Sequence, residues 1–408
     1  MKGEIDQLNW TSGNSLTLLN GVNFFSALCS SIDSAEISIH LETYIFCLDK
    51  IGLKVLKSLE NAAYRNVKVR VVLDGFGCLS TATLISKRLS SAGVQCRIYR
   101  PEPRYLGRFI PSRRRLRRLH RKVTVIDSNE AFIGGINISG NFDQTEDSNS
   151  NSNLTVQKLD FAVKIKGPLV YYVVHAQDRL WLGLNWTKLH FKSSVWRYMK
   201  FLRSRHDIKT NEKQLNCQKA ALVLRDNIRY RQTFERVYLH AIKEAHNEII
   251  IANAYFLPRE KFIKELALAV SRGVRVRLLL QGKAEYRMQY RATRAIYRQL
   301  FLSGVEIYEY MPSILHAKVA VIDNIGFIGS SNLDPFSLLL AREANVIVDD
   351  QLFVENLKHE LEVAIQNGGH HVEQITYEHR GVLHRIVDAF SYRMFRFGIS
   401  LTGSTNDY

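Results

Sequence analysis

The feature that most constrains this chain is a duplication. Phe24 to Phe46, FFSALCSSIDSAEISIHLETYIF, lies without gaps on Phe234 to Phe256, FERVYLHAIKEAHNEIIIANAYF, and each copy patterns as an amphipathic helix, a turn and a strand. A second helix pattern follows in both halves, LKVLKSLENAAYRN and KFIKELALAVSRG, and then a β-branched strand, VKVRVVLDG and VRVRLLLQG. After one more helix come KVTVIDSNEAFIGGINIS and KVAVIDNIGFIGSSNLD, which read as paired strands joined by a short turn. The apolar runs VTVI and VAVI suit central strands buried on both faces.

Alternation of this kind predicts an α/β fold made twice, each lobe a mixed sheet flanked by helices. Three parts are expected: an N-terminal lobe over 1–205, a C-terminal lobe over 206–368 and a tail over 369–408, with the boundary in the polar stretch Arg205 to Asn216. Two segments have no counterpart in the repeat, the arginine-rich insertion Arg104 to Arg121 and the tail itself. Asp143 to Asn153 reads as a polar surface loop.

With 408 residues and 46% hydrophobic content the chain can bury the cores such lobes need. Lys and Arg total 56 against 39 Asp and Glu, and the net charge of +17 points to a polyanionic partner, nucleic acid or anionic lipid. Five cysteines without metal-ligand spacing fit a reduced compartment. Met1 to Trp10 lacks an apolar signal region, and no apolar run reaches the ~18 residues of a membrane span. If a membrane is the partner, the protein is expected to lie on it.

The chemistry is carried by two copies of one motif at identical spacing: His120, Lys122 and Asp127 in LHRKVTVID, and His316, Lys318 and Asp323 in LHAKVAVID. Side chains alternate along a strand, so His and Lys two apart share a face and can reach one phosphate together. The Asp has opposite parity and lies past the strand, a place from which it fixes local structure. Each motif leads into a glycine-bearing turn and an Asn, Asn137 or Asn332, a neutral donor for a phosphate oxygen. A carboxylate follows at the start of a later strand, Asp160 or Glu343, expected to hold the histidine of its own half through the second ring nitrogen. His40, His175, His370 and His371 have no ligand cluster around them, and no metal is expected.

A duplicated His-x-Lys-x4-Asp followed by Gly-Gly or Gly-Ser and Asn resembles the phospholipase D superfamily, and the resemblance runs over nearly the whole chain. LLNGVNFFSAL, LETYIF, IANAYFLP and GSSNLDPFSLLLAREANVIV resemble, in order, segments of its bacterial cardiolipin-making members. What this implies is two lobes related by a pseudo-twofold axis, with one active site at their interface. The implied catalytic set is His120, Lys122, Asp127, His316, Lys318 and Asp323, with Asn137 and Asn332 on phosphate and neither metal nor cofactor. His120 would attack phosphorus to give a phosphohistidine while His316 protonates the departing alcohol. Phosphatidylglycerol as donor and acceptor would then give cardiolipin and glycerol.

Eight arginines and no acidic residue lie between Arg104 and Arg121, interleaved with Tyr105, Leu106, Phe109, Ile110, Leu116 and Leu119. That mixture is expected to dock on anionic lipid. In the tail, Val382, Leu383, Ile386, Val387, Phe390, Met394, Phe395 and Phe397 recur among arginines, as in an amphipathic helix lying on a bilayer or packing on a core. A peripheral place on the cytoplasmic face of a bacterial inner membrane follows as an expectation, with no nucleic acid bound. A nuclease and a silent membrane-binding module are the competing functions, the first because the same chemistry cleaves DNA.

Overall fold

The computed structural model describes residues 4–102, 113–140, 142–143, 156–184, 217–227 and 230–400. The first half-sheet runs, in spatial order, Trp10–Asn20, Phe161–Lys166, Glu130–Gly134, Val123–Ile126, Ser38–Thr43, Lys68–Asp74, Gln95–Tyr99. The second repeats that order in mirror sequence: Gln218–Arg225, Glu343–Asp349, Ile325–Gly329, Lys318–Ile322, Glu248–Asn253, Arg275–Gln281, Glu306–Tyr310, with Gly369–His371 added at its edge. The halves join where Trp10–Asn20 pairs antiparallel with Gln218–Arg225, Trp10 opposite Ala221. Further along, the same strand pairs with Phe161–Lys166, Ser15 opposite Lys166. One long strand thus belongs to both partners at the seam of a pseudo-twofold pair.

The outer strands of each half are parallel and linked by helices, while Val123–Ile126 and Lys318–Ile322 lie antiparallel to their neighbours. Both of these strands are buried along their whole length, as their unbroken apolar runs require. Several helices begin at side-chain caps. Asn20 accepts from Asn23 N–H, Asp49 from Gly52 N–H at 2.9 Å and Asp350 from Phe353 N–H at 2.9 Å, each worth about 1 kcal/mol of helix stability.

Apolar side chains collect in two lobe cores, one shared core and a small cluster around Leu119, Leu180 and Trp181. Helices Gly21–Asp33 and Lys50–Tyr64 cover one face of the first half-sheet, and Thr233–Glu244 and Glu260–Ser271 cover the corresponding face of the second. The opposite face of both halves shares a core with Leu169–Gly183 and Gln351–Gly368, in which Val123, Val125, Val319 and Val321 all take part. A core common to both halves fixes their relative position, and with it any site at the seam.

Some expectations are corrected and others lie elsewhere. The lobe boundary at Arg205 to Asn216, residues 144–153 of the polar loop and residues 104–112 of the arginine insertion lie outside the described residues. Within the described part of the insertion, Arg115, Arg118 and Arg121 turn inward onto carboxylates instead of facing outward to lipid. Arg115 and Arg118 both pair with Glu102, and Arg121, buried, faces Glu42 at 3.8 Å. Guanidinium groups taken out of water need carboxylates beside them, and Glu102 lies just ahead of the acid-free run.

The tail does form a helix, Val382–Ser400, and its two sides differ: one packs on the core and the other is exposed. Its inner side is docked: Asp388 is buried between Arg291 and Arg380, and Phe395 packs edge-on against Phe336 at 5.3 Å. Its outer side leaves Leu383, Ile386, Phe390 and Phe397 more than half exposed in a stripe of helical spacing. Among the described residues no helix is long and apolar enough to cross a membrane.

Candidate active site

The two motif histidines reach the seam by the same device. Leu119, one residue before His120, makes a parallel bridge with Arg342, and Leu315, one residue before His316, makes one with Leu159. His120 N–H donates to the Arg342 carbonyl at 3.0 Å, and His316 N–H to the Leu159 carbonyl at 2.8 Å. Strand ends hold these lead-ins in place: Leu119 N–H donates to Asp74 Oδ2 at 2.8 Å, and Leu315 N–H to Gln281 Oε1 at 2.5 Å. Asp74 and Gln281 occupy repeat-equivalent positions in VVLDG and LLLQG, so the support is duplicated with the fold.

Because Arg342 precedes Glu343 and Leu159 precedes Asp160, each bridge delivers a carboxylate of one lobe to the imidazole of the other. His120 Nδ1 stands 3.0 Å from Glu343 Oε1, and His316 Nδ1 stands 2.6 Å from Asp160 Oδ2. The expectation that each carboxylate serves the histidine of its own half is therefore reversed. Within one half, Phe161–Lys166, which follows Asp160, and Val123–Ile126 are separated by Glu130–Gly134, whereas the bridges across the seam bring the opposite pairs into contact. With Nδ1 engaged, Nε2 is the ring nitrogen left for chemistry.

Both histidines line one cavity of about 770 Å³, together with Asn137 and Asn332. Lys122 and Lys318 are buried beside them, Lys122 Nζ donating to the His120 carbonyl at 2.8 Å and Lys318 Nζ lying 3.0 Å from His316 Nδ1. The Tyr44 ring meets His120 edge-on at 4.7 Å and carries Lys122 Nζ 5.1 Å from its centre. Asn137 Oδ1 accepts from Ile45 N–H at 3.3 Å, and Asn332 Nδ2 faces Ser337 Oγ at 3.4 Å.

Asp127 and Asp323 are not among the cavity's side chains. Each closes its motif onto the turn before the neighbouring strand, Asp127 accepting from Glu36, Ile37 and Ser38 N–H and Asp323 from His246, Asn247 and Glu248 N–H, all within 2.8–3.0 Å. These bonds hold the Asp127 carboxyl below its usual range against the opposing effect of burial.

Burial governs the ionisation of the rest. It pushes His120 below the ordinary imidazole range although Glu343 pulls the other way, and it takes His316, with help from Lys318, down to about 4. Lys122 is pushed down to about 7, and Lys318 in the same direction. Glu343 would be raised by burial but is held low by His120 beside it, and Ser330 Oγ donates to its Oε2 at 2.5 Å. Burial thus disfavours the charged form of both imidazoles and both ammonium groups, and an arriving phosphodiester anion would favour it again.

Turn glycines follow from close approach. A Cβ on Gly135 would stand 2.2 Å from Asp160 Oδ1, whereas the repeat position holds Ser330, whose hydroxyl has room because Glu343 is one methylene longer. No sequence motif marks Tyr44, Asp74, Lys158, Tyr255, Glu285 or Asp334. Asp74 was visible through its duplicated place; Lys158 and Glu285 have no repeat partner of similar chemistry to mark them. Asp334 lines the cavity, caps Pro335–Leu339 and is pushed by burial to about 7.

The comparisons agree with this geometry. A family model described as "Cardiolipin synthase, PLD-like domain" matches residues 28–166 and 238–365, one stretch in each half. The chain is 37% identical over 355 residues to cardiolipin synthase B of Escherichia coli (strain K12), covering 86% of this chain and 81% of the relative. It is 36% identical over 371 residues to cardiolipin synthase B of Salmonella typhi, covering 90% and 84%. In fold it is similar to the crystal structure of phosphatidylserine synthase from Haemophilus influenzae Rd KW20, with a TM-score of 0.69, 13% identity and 97% of each chain covered. The duplicated motif, the single cavity between the lobes and the match in both halves make this chain a member of the cardiolipin synthase, PLD-like family of the phospholipase D superfamily.

Proposed function

We propose that the chain is a phosphatidyltransferase that makes cardiolipin and glycerol from two phosphatidylglycerol molecules. The observation that carries this reading is the pair of crossed, buried histidine–carboxylate contacts facing one cavity, in a chain of this family. His120 Nε2, neutral because burial holds its pKa down, attacks phosphorus as the P–O bond to the head-group glycerol breaks. His316, whose pKa the bound anion raises, gives its proton to the departing oxygen. The glycerol hydroxyl of a second phosphatidylglycerol then passes its proton to His316 as its oxygen bonds phosphorus and the P–N bond opens. One phosphodiester replaces another, so no nucleotide drives the exchange.

Lys122, Lys318, Asn137 and Asn332 serve the equatorial oxygens of the five-coordinate transition state, where one lost donor typically costs about 10²- to 10³-fold in rate. Glu343 and Asp160 set tautomer and orientation, and Asp127 and Asp323 hold the turns behind the motifs. A division into an N-terminal lobe to 205, a C-terminal lobe to 368 and a membrane-associating tail fits these roles.

The protein works on an anionic bilayer, which its substrate and its +17 charge both favour. The outer stripe of Val382–Ser400 enters the interface while the inner side stays on the C-terminal lobe. A peripheral position on the cytoplasmic face of a bacterial inner membrane, without nucleic acid, accords with this chemistry. The test incubates the protein and its His120→Ala and His316→Ala variants with phosphatidylglycerol vesicles and, separately, with DNA. Cardiolipin and free glycerol from the parent alone are expected; DNA cleavage without lipid products would replace this reading with a nuclease.

A further inference from the structure

The cavity is chemically lopsided. On the His120 side stand Tyr44, Ile45 and Phe76 with the arginines Arg115 and Arg118, the Phe76 ring 5.1 Å from the Arg118 guanidinium carbon, whereas the lining carboxylates, Glu285 and Asp334, both come from the second half. On the His316 side Tyr255 takes the repeat position of Ile45 and donates to Glu285 Oε2 at 2.6 Å, while Lys158 Nζ donates to Glu285 Oε1 at 3.0 Å. All three line the cavity, as does Gln289. Glu285 is near enough to His316 and Lys318 to act on them electrostatically. Burial would raise its carboxyl, but Tyr255 and Lys158 hold it below its usual range, so it is an anion at neutral pH.

In an in-line displacement the leaving and entering oxygens lie opposite the nucleophile, next to the group that protonates them. With His120 as nucleophile that place is beside His316, where the Tyr255–Glu285–Lys158 cluster lies. We propose that Glu285, braced by Tyr255 and Lys158, is the alcohol-recognition subsite, binding the glycerol group both as it leaves the donor and as it enters from the acceptor. This rests on the phosphatidyltransferase reading above and adds which alcohol it prefers and why.

A carboxylate offers about four lone-pair directions, and Tyr255 and Lys158 use two. The remainder accept from the neighbouring hydroxyls of a glycerol group. Lys158 balances the charge of Glu285, so a cationic amino alcohol gains little attraction there while a neutral polyol loses nothing. Water offers too few donors in fixed positions to compete for the same bonds. Holding the acceptor hydroxyl against His316 therefore favours transfer over hydrolysis: the glycerol oxygen bonds phosphorus, the P–N bond to His120 breaks, and the hydroxyl proton passes to His316.

The test gives the full chain phosphatidyl-p-nitrophenol in mixed micelles with rising glycerol or ethanolamine. It measures how the intermediate partitions among phosphatidylglycerol, phosphatidylethanolamine and phosphatidic acid. This ratio is independent of how fast the intermediate forms. In Glu285→Gln, capture by glycerol relative to water is expected to fall about tenfold, the loss of one charge-assisted hydrogen bond. In Lys158→Met, the ethanolamine-to-glycerol ratio is expected to rise, a change of preference that general loosening of the site would not produce. Partition ratios equal to the parent's in both variants overturn the subsite. A parent that releases p-nitrophenol but forms only phosphatidic acid at any glycerol concentration overturns the transfer reading itself, and the subsite with it.

Discussion

His120 Nδ1 lies 3.0 Å from Glu343 Oε1, although the two residues are 223 positions apart and belong to opposite lobes. His316 and Asp160 repeat the relationship from the other side at 2.6 Å. Neither lobe owns a complete histidine–carboxylate pair, so the duplication does not give two sites that happen to meet. It gives two halves of one.

The crossed pairs make a pH prediction with a definite sign. Glu343 raises the His120 pKa against burial, so Glu343→Gln lets it fall further and leaves His120, the proposed nucleophile, neutral to lower pH. The acid limb of kcat/KM is expected to move to lower pH, with a drop in kcat of about 10²-fold from lost orientation. Asp160 acts on His316 in the same sense, so Asp160→Asn should move the basic limb down instead. A within-lobe arrangement would exchange the two results.

Gly135 makes room for Asp160. Gly135→Ala places a Cβ 2.2 Å from Asp160 Oδ1, so the carboxylate must leave His316 or the turn must open. Activity is expected to fall about 10²-fold, while Ser330→Ala, which removes a donor to Glu343 and an acceptor for Ala344 N–H without introducing a clash, costs about tenfold. Steady-state rates on phosphatidylglycerol, with circular dichroism to confirm folding, distinguish the two.

Asp127 is a stability residue. Asn tolerates its left-handed backbone, φ 49°, so Asp127→Asn removes the charge without straining the turn. A loss of about 2 kcal/mol is expected at neutral pH from weaker bonds to the Glu36, Ile37 and Ser38 amides. The native carboxyl has a lowered pKa, so its contribution is full above the ordinary Asp value of ~3.9 and is lost as pH falls through the folded value. Urea unfolding at neutral and acid pH should show the difference between parent and variant shrinking in acid.

The terminal helix separates packing from membrane contact. Phe395→Ala, behind Phe336, is expected to destabilise by about 3 kcal/mol. Serines at Leu383, Ile386 and Phe390 should leave thermal stability unchanged and reduce co-sedimentation with anionic vesicles, since these side chains already face outward.

Much of this was legible in the sequence because the fold is written twice. Repeated helix and strand periods gave the half-sheets, and period-two alternation put His and Lys on one face and Asp off it. The crossed pairing was hidden because it depends on a seam between strands distant in sequence, which no local pattern encodes. Arg115, Arg118 and Arg121 read as a basic surface because charge runs are usually solvated; Glu102 and Glu42, which turn them inward, lie outside the run. Lys158, Tyr255 and Glu285 escaped notice for the opposite reason, since they are where the halves differ.

The most direct test of the central claim is to quench the protein during turnover of phosphatidylglycerol labelled in its phosphate and to map the labelled peptide. Two imidazoles working on one phosphorus predict an acid-labile label on His120 alone in the parent, absent from His120→Ala. Label on His316 in the parent would reverse the assignment of roles, and turnover with no protein-bound phosphorus at any quench time would contradict the mechanism itself.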